Sequence, residues 1–204
     1  MPRAAISACV IKAASITPGD TVLITAAAGS LGSQLVQQAR AAGAGTVIGA
    51  AHGKQKLEVI TQLGADLAID YSEDDWVAQI HKVTDGKGAD LVLDGVGGSI
   101  GYQAFEAAAR DSGRLGVYGF SSGSWTKIET RILAAHGVTI FAPLTIAFAR
   151  PPEEARIDAE TALAEAASGR LKALIGPTYP LAQAAKAHAA IEARQTTGKV
   201  MLIP

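Results

Sequence analysis

The stretch TVLITAAAGSLGSQLVQQARAAG, residues 21–43, runs from a β-branched apolar segment through a glycine turn into an amphipathic helix. TVLITA at 21–26 has the composition of a buried strand. Across residues 30–42, Leu31, Leu35, Val36 and Ala39 fall on one helical face, and Gly43 supplies a stop. Between the two, Ala27, Gly29 and Gly32 occupy the three positions of a G-x-G-x-x-G fingerprint, with alanine in place of the first glycine. A glycine turn before a helix is often only a turn; a strand before it and a helix after it give it meaning. Gly29 would let a pyrophosphate approach the backbone, Gly32 would let the helix pack closely on the strand, and the free amides around Ser30 and Leu31 would attract the anion.

Outward from this unit the same alternation repeats. Short aliphatic runs at 46–50, 67–70, 90–94, 114–118 and 138–141 read as further strands. The segments between them read as helices at 54–63, from Ser72 and Asp75 onward, at 99–110, and after Thr126 and Glu129, the second and fourth with capping-box spacing. Six strands with helical crossovers predict an α/β fold, a Rossmann-type doubly wound parallel sheet of order 3-2-1-4-5-6. Beyond Phe141 the alternation changes. Pro151 and Pro152 open an alanine-rich helix closed by Gly169, followed by an extended piece, a helix near 181–194 and a strand at 199–203, a C-terminal helix and strand extension.

With 18 basic and 19 acidic residues in 204 and no cluster of Lys or Arg longer than two, the chain lacks the basic stripe of a nucleic-acid-binding protein. Residues 21–39 and 132–149 carry no charge, but glutamines and serines in the first, and His136, Gly137 and Pro143 in the second, argue against membrane spans. The N-terminus lacks a secretory signal pattern. The single cysteine, Cys9, reads as a small core residue, and the four histidines show no metal spacing, so no metal is expected. A reducing cytoplasm suits this composition.

About twenty residues past the glycine turn, where an acid would bind the ribose hydroxyls of NAD, the second strand instead ends in AAHGKQK. His52, Lys54 and Lys56 offer positive charge where the 2′-phosphate of NADPH would lie, although both lysines would equally suit the solvated face of a helix. GGSIG at 97–101 fits a nucleophile elbow with His136 or His188 as base, but the same strand end is explained by nucleotide binding. No tyrosine has a lysine four residues later, which argues against a short-chain reductase.

TPGDTVLITAAAGSLG (17–32), LGADLAIDY (63–71), DLVLDGVGG (90–98), GRLGVYGFSSGSW (113–125) and TGKVMLIP (197–204) together resemble the quinone oxidoreductase, or zeta-crystallin-like, branch of the zinc-independent medium-chain dehydrogenases and reductases. The resemblance covers nearly the whole chain in order. It implies NADPH as cofactor, with Lys56 and Tyr71 near the adenosine 2′-phosphate. The turns Gly95, Val96, Gly97 and Tyr118, Gly119, Phe120, Ser121 would border the ribose and nicotinamide. It implies hydride transfer to a quinone or activated enone, and a homodimer joined through the edge strand 138–141. In that family a barrel-like catalytic domain comes first. Residues 1–16 accordingly resemble the remnant of a linker helix, 17–145 the dinucleotide-binding domain, and 146–204 an extension returning to a catalytic domain that this sequence does not contain. No residue reads as a dedicated general acid. The other function to weigh is a non-catalytic NADPH-binding sensor or interaction module.

Overall fold

The computed structural model describes residues 3–204. Helix α1 (Arg3–Ala14) leads into six repeats of strand and helix: β1 (Thr21–Thr25), α2 (Gly32–Ala41), β2 (Thr46–Ala51), α3 (Lys54–Gln62), β3 (Leu67–Asp70), α4 (Trp76–Val83), β4 (Leu91–Asp94), α5 (Gly98–Glu106), β5 (Arg114–Val117), α6 (Thr130–His136), β6 (Thr139–Phe141) and α7 (Pro143–Phe148). The long helix α8 (Pro152–Ala167), β7 (Ile175–Pro180), a 3-10 turn at Leu181–Gln183, α9 (Ala184–Glu192) and β8 (Lys199–Ile203) follow.

The six strands form one parallel sheet in the order β3-β2-β1-β4-β5-β6, as the alternation predicts. Register runs from Thr21 opposite Thr46 on one side of β1 and from Val22 opposite Leu91 on the other. Alternation within β1 divides the core. Val22 and Ile24 pack with Leu35, Val36, Ile60 and, from α1, Val10 and Ala14. Leu23 faces the other layer with Trp76, Ile80, Phe105 and Leu115. Carboxylates secure the starts of the central strands: the Thr21 amide donates to Asp90 at 2.8 Å and the Val47 amide to Asp66 at 2.7 Å.

Helix α1 packs against α2, α7 and α8. The junction holds a buried carboxylate, Asp158, 3% exposed. It accepts hydrogen bonds from Lys12 Nζ at 2.5 Å, from the Cys9 thiol at 3.1 Å and from Arg150. Burial pushes the Asp158 carboxyl up, but these donors and the two cations outweigh it and hold it below the usual carboxylate range. Strands β7 and β8 form a separate two-stranded parallel sheet. Among the described residues, no helix is long and apolar enough to cross a membrane.

Both capping boxes fail, for one physical reason. No side chain caps α4 or α6. The Ser72 hydroxyl donates to Asp70 at 2.6 Å, and Thr126 turns to Asp94 at 3.3 Å. In each case a carboxylate at a strand end accepts from the hydroxyl and holds it in the loop, and the helix starts later, at Trp76 or Thr130. Helix α5 stops at Glu106, short of residue 110, because Ala108 leaves to form a parallel bridge with Ala89.

Candidate functional site

The glycine turn, the β4–α5 turn and the β5 turn all lie at the carboxyl ends of the strands, around the point between β1 and β4 where strand order reverses. Ala26 leaves β1 with φ of +51°, and Gly29 N donates to Ala26 O at 2.9 Å, closing the turn. A Cβ on Gly32 would lie 2.2 Å from Ala26 O and 2.8 Å from Ala27 Cα, so only glycine lets α2 start this close to the strand. No side chain caps α2; its Ser33 amide donates to Gly29 O and its Gln34 amide to Leu31 O, at 3.0 Å each, which folds the turn onto the start of the helix. The Ser30 hydroxyl is buried without a protein partner, an unspent donor inside the loop that a phosphate would approach.

Next to β1, the end of β2 builds a cationic cleft of about 340 Å³ from His52, Gly53, Lys54, Gln55, Lys56, Arg194 and Gln195. Asp70, at the end of β3, organises it. Its carboxylate accepts from the Gly53 amide at 2.8 Å and from Ser72 at 2.9 and 2.6 Å, and His52 Nδ1 lies 2.9 Å from Ser72 Oγ. Burial pushes the Asp70 carboxyl up, but the Ser72 and Gly53 hydrogen bonds and neighbouring His52 bring it net below the ordinary value. Lys56 Nζ donates to the Arg194 backbone carbonyl at 2.6 Å. Burial, then the nearby Arg194 guanidinium, depress the Lys56 ammonium, with Asp70 opposing. Tyr71 stands beside this cleft rather than in its lining: it meets Trp76 edge-on at 6.5 Å, and burial raises its hydroxyl.

Sequence reading missed Arg194 and Gln195, which come from the far end of the chain. Arg194 has φ of +57°. Four residues on, the Gly198 amide donates to Ala28 O at 2.8 Å and Gly198 bridges Gly29 in parallel. Residues 194–198 therefore touch both the cationic cleft and the glycine turn. No local signal marked them, since their partners lie well over a hundred residues earlier.

On the other side of the switch point, Asp94 is fully buried and holds its own turn. It accepts from Thr25 Oγ1 at 2.6 Å, from the Val96 and Gly97 amides at 3.0 Å each, and from Thr126. With its acceptors engaged in this way, it organises the loop rather than supplying a free acid. The Tyr118 hydroxyl donates to Thr25 O at 2.9 Å, and burial raises it strongly. A Cβ on Gly95 would lie 2.6 Å from the Tyr118 ring, so the two turns interlock. Gly119 packs against Gly95, the Ser121 amide donates to Gly95 O at 3.2 Å, and Phe120 stacks on Trp125 with centroids 4.4 Å apart. The turn residues singled out from the sequence are thus brought together. The elbow serine is not matched with a base: Ser99 follows β4, whereas His136 precedes β6, at the opposite end of a parallel sheet, and stacks on Phe105 at 4.9 Å. His188 lies on α9, which packs on β7 and β8.

The family model described as zinc-binding dehydrogenase matches residues 30–162. The chain is 34% identical over 193 residues to a 2-haloacrylate reductase from Burkholderia sp, covering 93% of this chain and 57% of that protein. It is 32% identical over 187 residues to a quinone oxidoreductase from Pseudomonas aeruginosa, covering 91% and 57%. Among solved structures, Escherichia coli quinone oxidoreductase complexed with NADPH superposes with a TM-score of 0.91 at 30% identity, over all of this chain and 63% of that one. The chain belongs to the zinc-binding dehydrogenase family, on its quinone oxidoreductase-like branch. It spans just over half the length of the curated relatives it matches. Among the described residues, no group of three or more His, Cys, Asp or Glu is placed to hold a metal ion.

Proposed function

We propose that this chain is the cofactor-binding portion of an NADPH-dependent oxidoreductase that passes hydride to a quinone or an activated enone. The observation that carries the reading is the pairing of two anion sites along one row of strand ends, the glycine turn with its buried Ser30 hydroxyl and the His52–Lys56–Arg194 cleft. A dinucleotide with a third phosphate fits that pair, and the relative seen with NADPH shares the fold throughout this chain. Ser30, Leu31 and Gly32 present backbone amides to the pyrophosphate, on the turn that Gly29 closes and where it lets the anion approach the backbone. Ala27 packs behind them, and Lys54, Lys56, His52 and Arg194 neutralise the 2′-phosphate with Tyr71 alongside. Gly95, Val96, Gly97 and the Tyr118–Ser121 turn border the ribose and the reactive ring.

These residues would orient a bound nicotinamide and provide the field around it, and the cofactor would supply the hydride. Asp94 and Tyr118 stiffen the ring end through Thr25, which keeps that geometry fixed before an acceptor arrives. A cytoplasmic setting and a homodimer joined at β6 complete the proposal, the latter supported by the position of β6 at the sheet edge with Ile140 38% exposed. The direct test is a titration of the purified chain with NADPH and NADH. Tighter binding of NADPH is expected; equal affinities would sink the cofactor assignment. Binding without reductase activity, even when a relative's catalytic domain is joined to the chain, would favour a sensor.

A further inference from the structure

We infer that Ser72 and Asp70 are positioning residues that fix the tautomer of His52, so that His52 selects the 2′-phosphate in a pH-dependent way: a donor to it when protonated, a bare lone pair against it when neutral. The inference rests on the NADPH reading above and adds the regulation of that site. Ser72 has one hydroxyl proton. It goes to Asp70 Oδ1 at 2.6 Å, a charged acceptor that also takes the Ser72 amide at 2.9 Å. Towards His52 Nδ1, 2.9 Å away, the Ser72 oxygen therefore has only lone pairs to offer. Nδ1 must carry the hydrogen. Asp70 requires the same, because its Oδ1 lies 3.6 Å from Nδ1, where an imidazole lone pair would face a carboxylate.

With Nδ1–H committed to Ser72, the neutral ring keeps its lone pair on Nε2. The His52 side chain is 60% exposed, so the edge that Ser72 does not hold is open to a ligand. Around the ring stand Asp70 from the end of β3, Lys54 and Lys56 from α3, and Arg194 from beyond α9. A phosphate drawn in by these three cations meets either a lone pair or an N–H at Nε2, and one proton decides which. Histidine is the side chain that ordinarily gains or loses that proton between about pH 5 and 8. A dianion beside the ring favours the imidazolium, and by reciprocity the imidazolium favours the dianion. NAD+ has no phosphate there and gains nothing. Discrimination between the two cofactors therefore sharpens as pH falls through this range.

Two measurements on the full chain test this. With nitrogen-15-labelled histidine, two-bond proton–nitrogen correlations at about pH 8.5 read the neutral tautomer, and His52→Gln identifies the signal. An Nδ1–H ring is expected for His52. Ser72→Ala should shift it towards the Nε2–H form that free histidine prefers in water, and Ser72→Thr should keep it Nδ1–H. Calorimetric titration with NADP+ at about pH 6.5 and about pH 8.5, with NAD+ as reference, reads the consequence above the second phosphate ionisation near about 6. Over that interval the ratio of NADP+ to NAD+ affinity should fall at least threefold more in the unaltered chain than in His52→Gln. Ser72→Ala should flatten the fall to within twofold of that in His52→Gln, because its neutral ring can donate from Nε2, and Ser72→Thr should restore it. NADP+ binding accompanied by an Nε2–H tautomer in the unaltered chain, by a tautomer that Ser72→Ala leaves unmoved, or by the same pH dependence in His52→Gln, overturns this inference alone. Absence of NADP+ binding by the unaltered chain overturns the NADPH reading and this inference with it.

Discussion

Lys56 shows how far one residue can be read from sequence. Its position two residues past Lys54, beyond the second strand, was visible, and so was the missing acid that made its charge meaningful. Its partner was not: Arg194 reaches the same cleft from the other end of the chain, and Lys56 is spanned to that residue's carbonyl at 2.6 Å. A charged hydrogen bond to phosphate is worth enough that Lys56→Ala and Arg194→Ala should each weaken NADPH about tenfold while leaving NADH within a factor of about two. Fluorescence titration with the two reduced cofactors reads this directly. Because burial and Arg194 disfavour the charged ammonium, Lys56 gives up its proton at lower pH than a free lysine. The preference for NADPH should therefore shrink as pH rises in the alkaline range, and it should do so less in Lys56→Arg, whose guanidinium stays charged.

At the scale of elements, helix and strand identities were legible because glycine turns and apolar runs are local. The capping boxes misled because capping is a competition. Ser72 and Thr126 sit at helix-start spacing, but their hydroxyls donate to Asp70 and Asp94, which holds them at the strand-end loops, and the helices begin only at Trp76 and Thr130. Asp158 is another long-range partner with no local signal, and it ties α8 to α1. Replacing it with alanine strips Cys9, Lys12 and Arg150 of a shared carboxylate, but Lys12 is 60% exposed and Arg150 keeps Glu154, so the cost should be about 1–3 kcal/mol, or roughly 2–12 °C in melting temperature. Its carboxyl is depressed in the folded chain, so the stability it provides is present above the unfolded carboxylate value of about 3.9 and is lost as pH falls through the lower folded value. Melts of the two proteins should differ fully at neutral pH and converge in strong acid. The edge strand makes a separate prediction. Ile140→Lys should keep the chain monomeric in sedimentation at tens of micromolar while preserving NADPH binding; a monomeric unaltered chain would refute pairing through β6.

For the whole molecule, strand order followed from connectivity. Right-handed crossovers leave few ways to arrange six strands, and the order drawn from the sequence is the one observed. The small sheet of β7 and β8 was legible only as pieces, since a two-stranded parallel pair joined by a helix has no periodicity of its own. The proposed reaction needs an acceptor held within about 3.5 Å of the nicotinamide. The chain alone presents an open depression on that side, so its steady-state quinone turnover should fall well below the typical enzyme rate of about 10 per second. Stopped assays with purified chain and NADPH measure it.

The bridge between Gly29 and Gly198 also orders events in time. A ribosome emits the glycine turn well over a hundred residues before the residues that close over it. At about 5–20 residues per second, the interval is on the order of ten seconds or more. During that interval β1 and β2 can pair and bury their side chains, but the cleft lacks Arg194 and the turn lacks its Gly198 contact. A nucleotide that uses both contacts is therefore not expected to template the nascent sheet. Its full site forms only once residues 194–198 have emerged and folded back, so cofactor loading is expected to follow their arrival.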